Sequence, residues 1–152
     1  MSPTVRRRRA DPRATLVDDV GGQLSRLLAS ARATATEAAN RFHPDLPPAA
    51  FHVARWLLAF GPARTNEIAR GVAMDRSAAS RLIDALRIAG LVRVEADPSD
   101  RRANSVRLTP AGGRRLGRAL EWKGGAFHDR LAAWNEADLA ELARLLAKLN
   151  EL

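Results

Sequence analysis

The stretch ADPSDRRANSVRLTPAG, residues 96–112, joins an acidic proline turn to two adjacent arginines, an alternating run and a Thr-Pro pair. The residues before it, LVRVEA (91–96), also alternate, with Val92, Val94 and Ala96 on one face. Pro98 suits the second position of a type I turn. Thr109 and Pro110 are typical of a helix start. The sequence therefore predicts a β-hairpin with Arg101 and Arg102 at its tip and a helix directly after it.

Two short helices are predicted before the hairpin. Thr65 is the expected N-cap of the first, and Asp75 caps the second, RSAASRLIDALRIA (76–89), which ends at Gly90. A rotation of about 100° per residue clusters the apolar side chains of the second helix on one side. Ser77, Arg81 and Asp84 fall on the opposite side, and Ser80 and Ala85 flank them. Two capped helices followed by a hairpin form the order of a winged helix-turn-helix.

Amphipathic helices flank this segment. Leucine and alanine recur at helical spacing before HPDLPP (43–48), and a last helix with a leucine stripe is predicted to begin after Asn135. A single small module cannot bury both stripes, so we expect them to pair in a two-fold homodimer, with intramolecular packing as the alternative. The predicted class is mainly α (α+β). The predicted divisions are a disordered basic arm (1–14), an N-terminal dimerisation helix (15–46), a winged helix-turn-helix module (47–112) and C-terminal dimerisation helices (113–152).

The composition favours a polyanionic partner. Of 152 residues, 25 are Lys or Arg, and the net charge is +8. Nearly all of the cations are arginine, which suits phosphate and guanine, although the codon bias of a GC-rich genome also explains them. The chain contains no cysteine, which excludes disulfides and thiolate metal sites. No apolar run reaches the length of about 20 residues needed to span a bilayer, so a cytoplasmic protein is expected.

Signs of an enzyme are missing from the sequence. We find no glycine-rich phosphate loop, no nucleophile elbow and no histidine–carboxylate spacing that supports a reaction. The three histidines, His43, His52 and His128, lack metal-ligand spacing. We therefore predict a protein without catalytic activity, metal or cofactor.

The segment MDRSAASRLIDALRIAGLV (74–92) followed by DPSDRRANSVRLTPAG (97–112) resembles the recognition helix and wing of the MarR (multiple antibiotic resistance regulator) family. The resemblance implies a dimeric regulator that binds palindromic double-stranded DNA and is released by a small phenolic or other aromatic ligand. It assigns major-groove contacts to Ser77, Ser80 and Arg81. It makes Arg102, beside Arg101, the wing arginine, which Asp100 orients.

One residue departs from the family pattern. Family members commonly carry an arginine two residues after the Leu-Val pair, where this chain has Val94. Arg93 precedes that position and faces the other side of a strand. A strand-level phosphate contact is therefore not implied here.

A ligand site is predicted between the dimer helices and the winged module. Its polar and aromatic candidates are His52, Arg55, Trp56 and Trp122, with two core tryptophans and a solvated His52 as the alternative interpretation. The predicted function is that of a sequence-specific DNA-binding transcription regulator, a repressor released by a small aromatic ligand. The alternative is a sequence-tolerant architectural or nucleoid-associated protein that uses the same helix and wing, with the RRRR arm adding backbone affinity.

Overall fold

The computed structural model describes residues 11–96 and 104–151. Six helices and two strands lie in these ranges: α1 (Pro12–Phe42), α2 (Pro48–Phe60), α3 (Thr65–Gly71), α4 (Arg76–Ile88), β1 (Val92–Ala96), β2 (Asn104–Leu108), α5 (Pro110–Leu131) and α6 (Glu136–Asn150). The predicted mainly α class with one β-hairpin is confirmed. The chain forms two compact units, residues 1–34 and residues 35–152.

The described part of the first unit is the N-terminal portion of α1. The helix begins at Pro12, three positions before the predicted start at residue 15, and it ends at Phe42, immediately before the HPDLPP segment. Its large apolar side chains repeat at helical spacing, which confirms the amphipathic pattern. Those that are more than half exposed are Leu16, Val17, Val20, Leu27 and Leu28. This part of α1 therefore carries an exposed apolar face.

The second unit has one hydrophobic core. The end of α1, the helices α2 to α5 and both strands contribute to it. Phe42 of α1 meets Phe51 of α2 with ring centroids 5.8 Å apart. The largest side chains that are almost fully buried are Phe42, Phe51, Val53, Ile68, Leu86, Val106 and Leu116. Because Ile68 and Leu86 belong to α3 and α4, the core fixes the helix pair against the rest of the unit.

The strands β1 and β2 pair in antiparallel register, Val92 opposite Leu108 and Val94 opposite Val106. Ala63, between α2 and α3, forms an antiparallel β-bridge with Val106 on the other side of β2. The two residues exchange two backbone hydrogen bonds, of 3.1 and 2.9 Å. Val92 is buried, whereas Val94 on the same face is 39% exposed. The alternating side chains of β1 thus reach the core only at its first residue, whereas Val106 of β2, opposite Val94, is buried in the core.

Helix caps follow the predicted positions with one exception. The confirmed N-caps are Asp75, Thr109 and Asn135, each of which accepts a backbone N–H with its side chain. Thr65 was expected to cap α3, but it is the first helical residue and Arg64 is the N-cap. The Glu67 carboxylate accepts the backbone N–H of Arg64 at 2.7 Å. The prediction for Thr65 was therefore wrong by one residue.

Candidate DNA-binding surface

Helix α4 presents a polar face whose direction is set by the core. Its inward side chains are all buried and are Ala79, Leu82, Ile83 and Leu86. Ser77, Ser80 and Arg81 are exposed on the opposite side. The three predicted base-contacting residues therefore lie together on one accessible face, and small hydroxyl groups occupy its first two turns.

The first turn of α4 is held by Asp75. Its Oδ1 accepts the backbone N–H of Ala78 at 2.8 Å. This hydrogen bond, opposed by partial desolvation and assisted by Ser77 and Arg81, keeps the pKa of the Asp75 carboxyl below its ordinary value. The carboxylate also lies at the positive end of the helix dipole. The helix start that carries Ser77 is thus fixed.

The turn between α3 and α4 fixes the angle of the helix pair. Ala73 adopts a left-handed conformation with φ 54°, which is uncommon for a residue other than glycine. The backbone N–H of Met74 donates to the carbonyl of Ala69 at 2.8 Å, which closes the turn. Gly71 at the end of α3 lies so close to the Trp56 indole that a Cβ atom there would overlap the ring. Helix α2 therefore packs directly against the end of α3.

The base of the hairpin is tied to the end of α4. Gly90 ends α4 with φ 71°, and the backbone N–H of Leu91 donates to the carbonyl of Leu86 at 2.9 Å, as in a Schellman motif. The Thr109 hydroxyl donates to the carbonyl of Gly90 at 2.7 Å and accepts the N–H of Gly112 at 3.0 Å. The L-T-x-x-G pattern thus joins α4, β2 and α5 at one point.

The outward face of the hairpin carries two arginines in register. Arg93 of β1 lies opposite Arg107 of β2, and Glu95 contacts both guanidinium groups, at 2.8 Å to Nε of Arg93 and 3.4 Å to Nε of Arg107. Sequence reasoning missed Arg107. Alternation from Val106 was the available signal, since neighbouring strand residues face opposite sides. The face therefore carries one net positive charge, and its two arginines lie close to the base of the hairpin.

The predicted tip of the hairpin, with Pro98, Asp100, Arg101 and Arg102, lies outside the described residues. The roles of Asp100, Arg101 and Arg102 stay predictions. The described part of the hairpin ends where Ala96 of β1 pairs with Asn104 of β2.

Three of the predicted ligand residues, His52, Arg55 and Trp56, lie on α2, and the fourth, Trp122, lies on α5. His52 is exposed, and the Arg55 guanidinium lies 5.9 Å from the centroid of the Phe51 ring. Trp56 and Trp122 are half-buried against the core, and the Arg41 guanidinium lies 4.3 Å from the centroid of the Trp122 ring. Their role in ligand binding stays a prediction.

A cleft of about 440 Å³ lies elsewhere, between the end of α2 and the base of the hairpin. None of the four predicted ligand residues lines it. Its lining is formed by Leu57, Leu58, Gly61, Pro62, Arg93, Arg107, Leu108, Thr109 and Pro110.

Residues 11–96 and 104–151 contain neither a candidate metal site nor a candidate membrane-spanning helix. These residues contain no group of three or more histidine, aspartate and glutamate side chains placed to hold a metal ion. The helices in the same ranges include none with the length and apolar character required to cross a membrane.

Known proteins share these features at the levels of sequence and structure. Residues 45–103 match the family model described as MarR family. The uncharacterized HTH-type transcriptional regulator YxaD of Bacillus subtilis (strain 168) is 28% identical over 107 residues, which are 70% of this chain and 75% of the relative.

Two solved structures show the same fold. YusO from Bacillus subtilis superposes with a TM-score of 0.79 at 22% identity, over 91% of this chain and 97% of YusO. BpsR from Bordetella bronchiseptica superposes with a TM-score of 0.55 at 24% identity, over 84% of this chain and 93% of BpsR. In BpsR, DNA binding is regulated by 6-hydroxynicotinic acid.

Proposed function

We propose that the chain, whose residues 45–103 match the MarR family model, is a sequence-specific homodimeric repressor of this family of winged helix-turn-helix transcription regulators, and that a small aromatic ligand releases it from its DNA operator. The observation that carries this proposal is the polar face of α4. Four buried apolar residues fix the rotation of the helix, and Ser77, Ser80 and Arg81 are left exposed together. A helix of this kind enters the major groove with its first turns at the base edges.

The DNA contacts follow from the chemistry of these side chains. The Ser77 and Ser80 hydroxyls donate to or accept from base edges, and the Arg81 guanidinium suits the two acceptors of guanine. Arg101 and Arg102 at the hairpin tip suit the negative potential of a narrow minor groove, with Asp100 holding a guanidinium in place. Helix and hairpin then contact adjacent grooves of one half-site.

A homodimer accounts for the exposed apolar faces. Large apolar side chains remain exposed on α1 at Leu27 and Leu28 and on α6 at Leu145 and Leu149. A second copy related by a two-fold axis would bury them and place two α4 helices roughly 34–36 Å apart, one turn of DNA. Size-exclusion chromatography with light scattering tests this. A dimer is expected for the native chain and a monomer for Leu145→Glu/Leu149→Glu. The control Leu58→Glu, on α2, should remain dimeric.

For the ligand we propose His52, Arg55, Trp56 and Trp122. Two tryptophans offer stacking surfaces, and Arg55 with His52 offers donors to an acidic or phenolic oxygen. The effect of 6-hydroxynicotinic acid on BpsR supports an aromatic acid as the first probe. If the proposed site is correct, Arg55→Gln weakens binding of 6-hydroxynicotinate in calorimetry, whereas the exposed control Arg70→Gln does not. Equal binding by both variants would place the ligand elsewhere.

The test of the proposal as a whole is in vitro selection of random DNA duplexes with the purified protein at about 150 mM salt, where non-specific binding is reduced. An enriched inverted repeat with half-sites about one turn apart supports a sequence-specific dimeric regulator. Retained DNA without a motif, or with only an A·T preference, would favour the architectural function instead. Regulators usually prefer their site by more than about 10³-fold over other DNA.

A further inference from the structure

Asp84 lies at the centre of the exposed face of α4. At about 100° per residue it falls within about 20° of Ser77, and it is three residues after Arg81. Its side chain is 60% exposed, and the buried residues Leu82, Ile83 and Leu86 point to the opposite side. Any groove that receives Ser77 and Arg81 therefore receives this carboxylate as well.

A carboxylate on such a face is unfavourable unless it gains a specific partner. The phosphates repel it, and contact with DNA removes its water. Among the described residues its one ion-pair partner is Arg87, whose Nε lies 3.5 Å from Oδ1 of Asp84. Both side chains are more than half exposed, and an exposed pair of this kind contributes little. The ion pair with Arg87 therefore does not offset the repulsion from the phosphates.

We propose that Asp84 is a specificity-determining residue whose carboxylate accepts a hydrogen bond from the exocyclic amino group of a cytosine. The inference rests on the proposed function, since it requires α4 to enter the major groove.

The choice of base follows from the atoms that each base presents in the major groove. Cytosine presents the N4 amino donor, which has the O6 acceptor of the paired guanine on one side and only the C5–H group on the other. Guanine presents two acceptors and thymine presents one, so both repel a carboxylate. Adenine presents its N6 donor next to the N7 acceptor, which opposes the second carboxylate oxygen. Cytosine is therefore the base that Asp84 tolerates best.

The position of that cytosine follows from helix geometry. Asp84 is seven residues after Ser77, and a rise of about 1.5 Å per residue separates them by about 10 Å along α4. Base pairs are spaced by about 3.4 Å. The cytosine is therefore expected about three base pairs from the position that Ser77 contacts, once in each half-site.

In vitro selection with three variants tests the assignment. Asp84→Ala should abolish the cytosine preference at one position of each half-site and leave the rest of the motif intact. Asp84→Asn should shift the preference at that position from cytosine to adenine, because an amide pairs with the N6 and N7 atoms of adenine. The control Arg87→Gln should retain cytosine. Competition binding should show that the native chain prefers cytosine at this position by about 10- to 100-fold.

The outcomes separate this inference from the proposed function. A native motif that Asp84→Ala and Asp84→Asn both leave unchanged would refute the role of Asp84 and leave the proposed function standing. Loss of cytosine preference in Arg87→Gln as well as in Asp84→Ala would show that the ion pair matters only for the shape of α4, and would overturn the direct contact. No inverted repeat with the native chain would overturn the proposed function itself.

Discussion

Gly112 is the residue where a single methyl group should have a large effect. It is the third residue of α5, and it is packed against the backbone of Leu91 at the end of α4. A Cβ atom built at this position overlaps the Leu91 carbonyl oxygen, which is backbone and cannot rotate away. That carbonyl also accepts the backbone N–H of Thr109 at 3.0 Å. Gly112→Ala must therefore push α5 away from the hairpin base.

The expected loss of stability combines three contributions. Insertion of a methyl group into a packed contact costs about 1–3 kcal/mol. Displacement of α5 weakens the cap that the Thr109 hydroxyl makes with the N–H of Gly112, at a cost of about 1 kcal/mol. The better helix propensity of alanine returns up to about 1 kcal/mol. The net expectation for Gly112→Ala is a free energy of unfolding lower by about 1–3 kcal/mol.

Thermal unfolding followed by circular dichroism at one fixed protein concentration measures this, since the proposed dimerisation would make Tm depend on concentration. For a chain of this size, Tm should fall by roughly 2–12 °C. The matched control is Gly113→Ala, because Gly113 has nothing within 4 Å of its added Cβ and should leave Tm unchanged or raise it. Equal Tm values for Gly112→Ala and Gly113→Ala would refute the role assigned to the close contact with Leu91.

Three further substitutions test the module. Asp75→Ala should lower the urea midpoint of unfolding near neutral pH. Because the pKa of Asp75 is lower in the folded than in the unfolded state, its carboxylate stabilises the fold at pH values above the unfolded-state pKa. The difference in midpoint from the native chain should therefore vanish as the pH falls through the folded-state pKa. Leu86→Ala, at a fully buried position, should lower the free energy of unfolding by about 2–5 kcal/mol in urea titrations, and a loss below about 1 kcal/mol would contradict its place in the core. Arg102→Ala should weaken operator binding by about 1–3 kcal/mol in fluorescence anisotropy, and unchanged affinity at physiological salt would disprove the wing assignment.

The elements that sequence reasoning located are those whose signals are local. Asp75, Thr109 and Asn135 cap their helices through bonds to residues three positions away, so a short window of sequence contains all the information. The prediction for Thr65 was wrong because the Glu67 carboxylate accepts the backbone N–H of Arg64, so the cap lies one residue earlier, next to a long-range contact of the chain. The bridge between Ala63 and Val106 fixes the chain just before the helix, and Arg64 becomes the N-cap.

The candidate site divides in the same way. The polar face of α4 was predictable because a helix repeats at about 3.6 residues, and the core confirmed its direction. The pairing of Arg93 with Arg107 was not predicted, since it depends on the register of two strands. The need for glycine at residue 112 was not predicted either, because Leu91 lies far from it in sequence.

The linkage between α4 and the hairpin bears on how a ligand could release DNA. The backbone of Leu91 donates a hydrogen bond to Leu86 at the end of α4 and accepts one from Thr109 at the start of α5. Gly112 packs against Leu91 so closely that there is no room for a side chain. These contacts hold α4 and the hairpin in a fixed relative orientation. A ligand that changed this orientation would have to break the contacts at Leu91. For a two-fold dimer whose half-sites lie roughly one DNA turn apart, a change in the separation of the two α4 helices is sufficient to prevent binding. If the proposed dimer and ligand are correct, fluorescent labels on the two copies of α4 should report a change in distance when that ligand binds, with the hydrogen-exchange protection of Leu91 and Thr109 unchanged.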